Sequence, residues 1–326
     1  QVVGVIGVSI FQIGDKVQLT GPGGRLNTIQ LEAGGRFGTH KGDLLHDVII
    51  GKPDGSVVAN QNGVEYLALK PLLTDYVLSM PRGAAIVYPK DAGQILVEGD
   101  IFPGATVIEA GVGSGALSSY LLRAVGESGR LLSFERREEF AQIAQANVTN
   151  QLGKRPENWT VTIGDLQEVL PQVVRSATAD RAVLDMLAPW ECVDAVSQAL
   201  KPGGLLICYV ATVTQLSRTI EEIKNHGGFT PAVAWESMVR GWHVEGLAVR
   251  PDHRMIAHTG FLLTARRLAP NTVLPQFKNK RASKTDYSDE DFETWLPQAI
   301  GQRPISEKKL RKTVRKVTKE AAEREN

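Results

Sequence analysis

The stretch Thr106-Val-Ile-Glu-Ala-Gly-Val-Gly-Ser-Gly-Ala116 decides the fold. A short β-branched run, TVIEAG (106–111), leads through Gly111, Gly113 and Gly115 into a helical pattern near 114–125. Glycines at such a strand-to-helix turn let backbone N–H groups approach a ligand, and the helix start adds the positive end of its dipole. Outward from this turn, strand-like and helical runs alternate. GRLLSFE (129–135), a helix near 137–150, TVTIGD (160–165), RAVLDM (181–186), a helix near 190–200, GGLLICYV (203–210) and a helix over about 214–226 follow in order. Such alternation implies βαβ crossovers and an α/β fold whose mostly parallel sheet is covered on both faces. The later runs AVAWESM, WHVEGLAVR and AHTGFLLTARR lack long helices between them, which predicts antiparallel end strands closing the sheet.

Residues 11–70 read differently. KVQLT, RLNTIQL, HDVII, SVVAN and VEYLALK are short β-rich runs separated by the turn clusters GPGG, KPDG and NQNG. Five strands in a small barrel or sandwich are expected from them. Pro71 and LLTDYVLSM then predict a short connecting helix. The expected organisation is a small all-β domain over 1–70, a ligand-binding α/β domain over 71–268, and a linker with a basic extension, helical near its end, over 269–326.

Composition narrows the function classes. With 42% hydrophobic and 22% charged residues, the chain has the makings of a large core, which excludes a disordered, collagenous or repeat-only protein. No stretch approaches the ~20 apolar residues of a membrane span. The opening QVVGVIGVSIF is apolar but lacks a basic flank and a small-residue cleavage site, so it makes a poor signal peptide. The chain does not open on Met, which leaves its true N-terminus open. Cys192 and Cys208 fit neither a disulfide framework nor a zinc site, and the histidines have no metal-like spacing. A soluble, cytoplasmic protein with no metal is expected. Residues 271–326 carry 13 Lys/Arg against 9 Asp/Glu, leaving 24 against 27 in residues 1–270. Within the tail, KKLRKTVRKVTK (308–319) is either a solvated helix or an electrostatic contact for a polyanion.

The glycine turn has two readings. Gly111-x-Gly113-x-x-Ala116 satisfies the dinucleotide fingerprint, while E-x-G-x-G-x-G is the first motif of S-adenosylmethionine (AdoMet) enzymes. The glycines alone do not choose. Their surroundings do: Glu135 ends the second strand where an acid accepts ribose hydroxyls, Gly164-Asp165 ends the third within reach of an adenine edge, and Asp185 ends the fourth. So many acids repel an anionic pyrophosphate and attract a sulfonium with an ammonium group. AdoMet is the expected cofactor.

Four stretches carry a resemblance. PRGAAIVYPKDAGQIL (81–96), IFPGATVIEAGVGSGALS (101–118), RAVLDMLAPW (181–190) and YVATVTQL (209–216) together resemble the tRNA (adenine-58-N1)-methyltransferase family, TrmI type, in its actinobacterial form. The likeness covers roughly residues 11–268. It implies a class I Rossmann-like methyltransferase domain behind a small β domain, with AdoMet as donor, the T-loop adenine of tRNA as acceptor, and a homotetramer. By the same resemblance, Gly111, Gly113, Ser114, Gly115, Ala116 and Leu117 line the methionine part of AdoMet, with Gln94 nearby. Glu135 holds the ribose, Phe140 packs on the adenine, and Gly164, Asp165 and Leu166 bind or flank it. Asp185 sits beside the transferred methyl, and Tyr88 and Tyr209 surround the target base. The extension past 270 departs from the family's usual boundary.

As residues alone, several of these have plainer readings. Tyr209 ends an apolar strand, where a tyrosine is ordinarily core. Tyr88 before Pro89 fixes a turn, and Trp190 packs. Arg82, Lys90, Arg240, Arg250, Arg254 and Arg266 are candidate phosphate grips among many exposed cations. Two other functions compete with the methyltransferase. An NAD-dependent oxidoreductase draws only on the G-x-G-x-x-A reading and lacks a His–Asp or Tyr–Lys relay. A non-catalytic tRNA-binding subunit is disfavoured by a complete cofactor motif.

Overall fold

A computed structural model describes residues 9–275. The chain divides into two units, Gln1–Thr272 and Val273–Asn326. The basic run 308–319 and most of the extension over 269–326 lie outside the described residues.

The front is antiparallel. β1 (Lys16–Thr20), β2 (Leu26–Gln30), β3 (Arg36–Thr39), β4 (Gly42–Leu45), β5 (Ser56–Ala59) and β6 (Glu65–Leu69) come first. They form a four-stranded sheet of order β2-β1-β6-β5 and a separate β3–β4 hairpin. Alternate residues Val17, Leu19, Tyr66 and Ala68 point into one apolar core with Leu31, Leu44 and Ile49, as the period of two requires.

One expected strand is absent. HDVII forms a turn of 3-10 helix, His46–Val48, because His46 is pulled inward. Its Nδ1 accepts the Glu32 N–H at 3.1 Å and its carbonyl accepts the N–H groups of Ile49 and Ile50. β3 and β4, RFGT and GDLL, pair only with each other outside the four-stranded sheet; neither is rich in β-branched residues, so pattern gave no sign of them.

α1 (Leu73–Ser79) and α2 (Pro89–Glu98) lead into β7 (Thr106–Ala110), α3 (Ala116–Val125), β8 (Arg130–Glu135), α4 (Glu138–Leu152), β9 (Trp159–Ile163), α5 (Leu166–Val173) and β10 (Ala179–Asp185). α6 (Val193–Ala199), β11 (Leu200–Val210), α7 (Val213–His226), β12 (Val233–Trp235), β13 (Trp242–Glu245), β14 (Ala248–Pro251) and β15 (Phe261–Arg266) complete the unit. The helix expected near 190–200 begins as a 3-10 turn at Pro189–Cys192 before α6. The main sheet has the order β12-β15-β11-β10-β7-β8-β9. β7 to β11 pair in parallel, and β15 and β12 run antiparallel at one edge. β13 and β14 do not join this sheet; they pair only with each other as an exposed hairpin.

Strand alternation assigns the two faces. Ala182, Leu184, Leu206 and Cys208 pack with α5, α6 and α7. Val107, Val183, Ile207 and Tyr209 pack with α2, α3 and α4. By the same parity Glu109 and Asp185 belong to the second face. The chain turns back on itself between β7 and β10, and open α/β sheets bind ligands outside the carboxyl ends of the strands at such a switch point.

Candidate active site

The glycine turn is built for close approach. Gly111 has φ +80°, and a Cβ there would lie 1.7 Å from the Asp185 carbonyl oxygen. No side chain fits between the β7 turn and the end of β10. The Gly113 N–H donates to Glu135 Oε2 at 3.3 Å, and Gly115, at φ +82°, is the N-cap of α3. Asn147 on α4 ties the turn down: its Nδ2 donates to the carbonyls of Ser114 at 2.9 Å and Pro81 at 2.7 Å. Ala116 and Leu117 direct their side chains into the core, so what they offer a ligand is backbone in the first turn of α3.

Four carboxylates surround this turn. Glu109 is fully buried, accepts the hydroxyls of Ser118 and Ser133 at 2.6–2.9 Å, and is pushed up to about 7, chiefly by burial. Asp185 is also pushed up to about 7, by burial and then by the neighbouring Glu135 charge. Glu135 Oε1 accepts the Arg137 N–H at 3.1 Å and Nε at 3.3 Å. Asp165 Oδ2 accepts Arg136 Nη2 at 2.5 Å. These carboxylates retain free lone pairs, because each oxygen can accept more than one donor.

A cleft of about 520 Å³ opens beside Glu135 and Asp185, lined also by Gly111, Gly164, Leu166 and Leu187 among others. Two polar atoms, Ser114 Oγ in the glycine turn and Asp165 Oδ1 between the lining residues Gly164 and Leu166, are buried without a hydrogen-bond partner. Buried polar groups are ordinarily satisfied. The unpaired Asp165 oxygen fits a ligand that donates hydrogen bonds, and the lining sets the acids Glu135, Asp185 and Glu191 beside Arg136 and Arg137.

Tyr209 on β11, Tyr88 before α2 and Gln94 on α2 lie outside the cleft lining. Asp185 and Tyr209 are direct partners in the parallel β10–β11 register. The Tyr209 ring lies against Gly260, where a Cβ would come within 2.5 Å of it. Its hydroxyl donates to Asp91 Oδ2 at 3.4 Å, and burial pushes that hydroxyl's pKa up. Tyr88 is the N-cap of α2, with Pro89 as the first helical residue, and its carbonyl accepts the N–H groups of Asp91 and Ala92. Gln94 is half-buried on the same helix. Phe140 stands apart from the cleft lining: the Arg137 guanidinium lies 3.8 Å from its ring centroid, and the ring also faces Gly83.

Sequence reasoning missed the partners of these groups. Asp91 stands inside YPKDA, yet nothing in that string says that its carboxylate reaches residues about 150 positions away. Lys90, read as a phosphate grip, is instead buried, with its ammonium on Asp91, Ser237 and Thr259. Arg266 spends two guanidinium nitrogens on the Gly203 carbonyl. Trp190 packs beneath the Arg218 guanidinium, at 4.3 Å. Among the described residues, no group of three or more His, Cys, Asp or Glu side chains is placed to hold a metal, and no helix is long and apolar enough to cross a membrane. Cys192 and Cys208 are free and buried.

Residues 65–249 match the family model described as tRNA methyltransferase complex GCD14 subunit, and residues 10–58 match the TrmI-like N-terminal model. The tRNA (adenine(58)-N(1))-methyltransferase TrmI of Thermus thermophilus is 34% identical over 244 residues, covering 75% of this chain and 93% of the relative. The chain belongs to the TrmI family of tRNA methyltransferases. A second TrmI relative, the tRNA (adenine(57)-N(1)/adenine(58)-N(1))-methyltransferase of Methanocaldococcus jannaschii, is 30% identical over 71% of this chain and 88% of its own. Among solved structures, this TrmI-family chain is similar to a SAM-dependent O-methyltransferase from Thermotoga maritima, with a TM-score of 0.75 at 31% identity, covering 83% of this chain and 98% of that one. It is also similar to tRNA (m1A58) methyltransferase TrmI from Aquifex aeolicus, with a TM-score of 0.70 at 27% identity, covering 80% and 100%.

Proposed function

We propose that this TrmI-family protein transfers the methyl group of AdoMet to N1 of adenine 58 in the T-loop of tRNA. The observation that carries the reading is the β10–β11 register, which pairs Asp185, in the lining of the glycine-turn cleft, with Tyr209 on the neighbouring strand. In this reading Gly111, Gly113, Ser114, Gly115, Ala116 and Leu117 hold the methionine part of the cofactor, with Gln94 nearby. Glu135 takes the ribose hydroxyls and Gly164, Asp165 and Leu166 take the adenine, while Phe140, outside the cleft lining, acts on that end through the Arg137 guanidinium over its ring. The unpaired Asp165 oxygen supports that placement by offering an acceptor to an exocyclic amine. When bound, AdoMet supplies an activated sulfonium methyl.

The chain's own task is alignment. Adenine N1 carries an in-plane lone pair and no proton at neutral pH, so no base has to act before attack, and positioning for in-line displacement supplies most of the rate. The base gains positive charge as the bond forms. The Asp185 carboxylate offsets that charge where water is partly excluded, and it accepts a hydrogen bond from the N6 amine. N1 lies on the Watson–Crick edge, so the base has to leave its stack. Tyr88 and Tyr209 receive it, with stacking contributing about 1–3 kcal/mol.

Residues 1–70 act as a small β domain with its own core, 71–268 as the methyltransferase domain, and 269–326 as a basic extension that adds affinity for tRNA. The protein works as a cytoplasmic homotetramer. Apolar residues left exposed on one chain around the β13–β14 hairpin, including Trp242, Val244 and Leu247, support assembly.

The test is methyl transfer from labelled AdoMet to unmodified tRNA, with nucleoside mapping. One-methyladenosine confined to position 58, lowered about 100- to 1,000-fold by Asp185→Ala, is the expected result. Transfer elsewhere, or none with AdoMet bound, refutes the acceptor; no AdoMet binding refutes the cofactor. The raised pKa of Asp185 adds a sign. Its carboxyl is protonated below about 7 and ionised above, so kcat/KM for AdoMet rises with pH through that value and then levels, and Asp185→Asn removes the inflection.

A further inference from the structure

A fully buried carboxylate lies behind the tyrosine of the site. Asp91 Oδ1 accepts Lys90 Nζ at 2.7 Å and Ser237 Oγ at 2.8 Å, while Oδ2 accepts Thr259 Oγ1 at 2.5 Å and the Tyr209 hydroxyl at 3.4 Å. Lys90 Nζ also donates to the Ser237 carbonyl at 2.8 Å and to Thr259 Oγ1 at 2.6 Å. The lone pairs of the carboxylate and the three protons of the ammonium are therefore all occupied inside the protein. No donor or acceptor of the pair is left for a ligand, so the cluster serves geometry.

Its partners come from both sides of one segment. Ser237 directly precedes and Thr259 directly follows residues 238–258, which carry the exposed β13–β14 hairpin. Among the described residues, the two ends of this arm are held together near its base by the Val239–Ile256 bridge and an exposed His258–Glu236 pair. Asp91 is thus the point at which α2, the end of β11 and the root of the arm meet.

We propose that the Lys90–Asp91 pair is a positioning device for the acceptor side of the site, holding the Tyr209 hydroxyl and anchoring both ends of the 238–258 arm. The proposal rests on the reading that Tyr209 meets the target base. Asp91 touches neither cofactor nor base; it acts through Tyr209. A tyrosine free to leave its seat against Gly260 would meet the base in many orientations, and displacement by about 1 Å costs on the order of 100-fold in rate. The cofactor-side carboxylates are not among its partners, so the pair biases the acceptor and leaves the donor alone.

The experiment compares wild type, Asp91→Asn, Tyr209→Phe and the double variant, with Thr259→Val as a milder probe. Asp91→Asn is expected to lower kcat/KM for tRNA about 10- to 100-fold, with the AdoMet Kd by calorimetry changed less than about twofold. Because Asp91 acts through the hydroxyl that Tyr209→Phe removes, the losses in the double variant should fall short of their product. Multiplying losses, or AdoMet affinity falling in step with turnover, overturns the proposal. If Asp91→Asn does not fold, Thr259→Val carries the test, with a loss of roughly 3- to 10-fold and the same split; turnover equal to wild type overturns it. Hydrogen exchange over 238–258 reads the anchor without tRNA. Faster exchange is expected in Asp91→Asn and Thr259→Val, and unchanged exchange overturns the anchoring role. A wild type that does not methylate tRNA defeats the functional reading, while the exchange comparison still decides the anchor.

Discussion

The glycine-turn cleft and the β11–α2 cluster are built on opposite principles. On the β7–β8–β9 side, Ser114 Oγ and Asp165 Oδ1 are buried without partners, and the ion pairs of Glu135 and Asp165 reach out to exposed arginines. On the β11–α2 side, Asp91 and Lys90 have exhausted their hydrogen-bonding capacity within the chain. A cleft that receives a polar ligand leaves groups for it to satisfy, and a cluster that sets an angle satisfies its own. The contrast explains why perturbing each should fail differently: one loses affinity, the other orientation.

Gly111→Ala breaks the receiving cleft outright. Its Cβ meets backbone, the Asp185 carbonyl, which has no rotamer with which to retreat. Cofactor binding by calorimetry should vanish, with a stability loss of about 3 kcal/mol or more in denaturant. Gly153→Ala is the control: its φ is +74° but nothing lies within 4 Å of the added Cβ, so the cost should stay near ~1 kcal/mol.

Glu109→Gln separates the buried carboxylate from the ligand-facing ones. The folded protein holds Glu109 up to about 7 from an ordinary 4.5. Above that value the fold must keep a buried charge, so this group's contribution falls as pH rises from about 4.5 to about 7 and then stays flat. The variant should gain on the order of 3 kcal/mol over wild type above pH 7 and nothing at pH 4. Urea titrations at both pH values check it; equal stabilities at pH 8 would place Glu109 among the ligand-facing groups.

Asp165→Ala has the smallest expected effect. Its ion pair with Arg136 is exposed on the arginine side and adds little to stability. Loss of the unpaired acceptor should weaken AdoMet about tenfold, near 1.4 kcal/mol, with turnover at saturation nearly unchanged. A fall in turnover at unchanged affinity would move Asp165 to the orienting groups.

Legibility followed the range of the interactions involved. The parallel sheet was readable because the β7 turn and the alternating runs express local geometry: Gly111 needs its positive φ, and Val183 and Leu184 face opposite layers by simple alternation. Glu135, Asp165 and Asp185 were readable because strand ends collect at one sheet edge. The strand expected at HDVII failed because His46 takes its partner from Glu32, 14 residues back. The hairpin β13–β14 was visible as strands but not as an arm outside the sheet, since apolar alternation names a strand without naming its neighbour. By itself the sequence determined the layer order, the glycine turn and the family. Only the tertiary structure decided that Lys90 is a buried partner rather than a phosphate grip, and that Asp91 ties residues 209, 237 and 259 together. A buried charge is defined by whichever side chains surround it, and folding brings those from far along the chain.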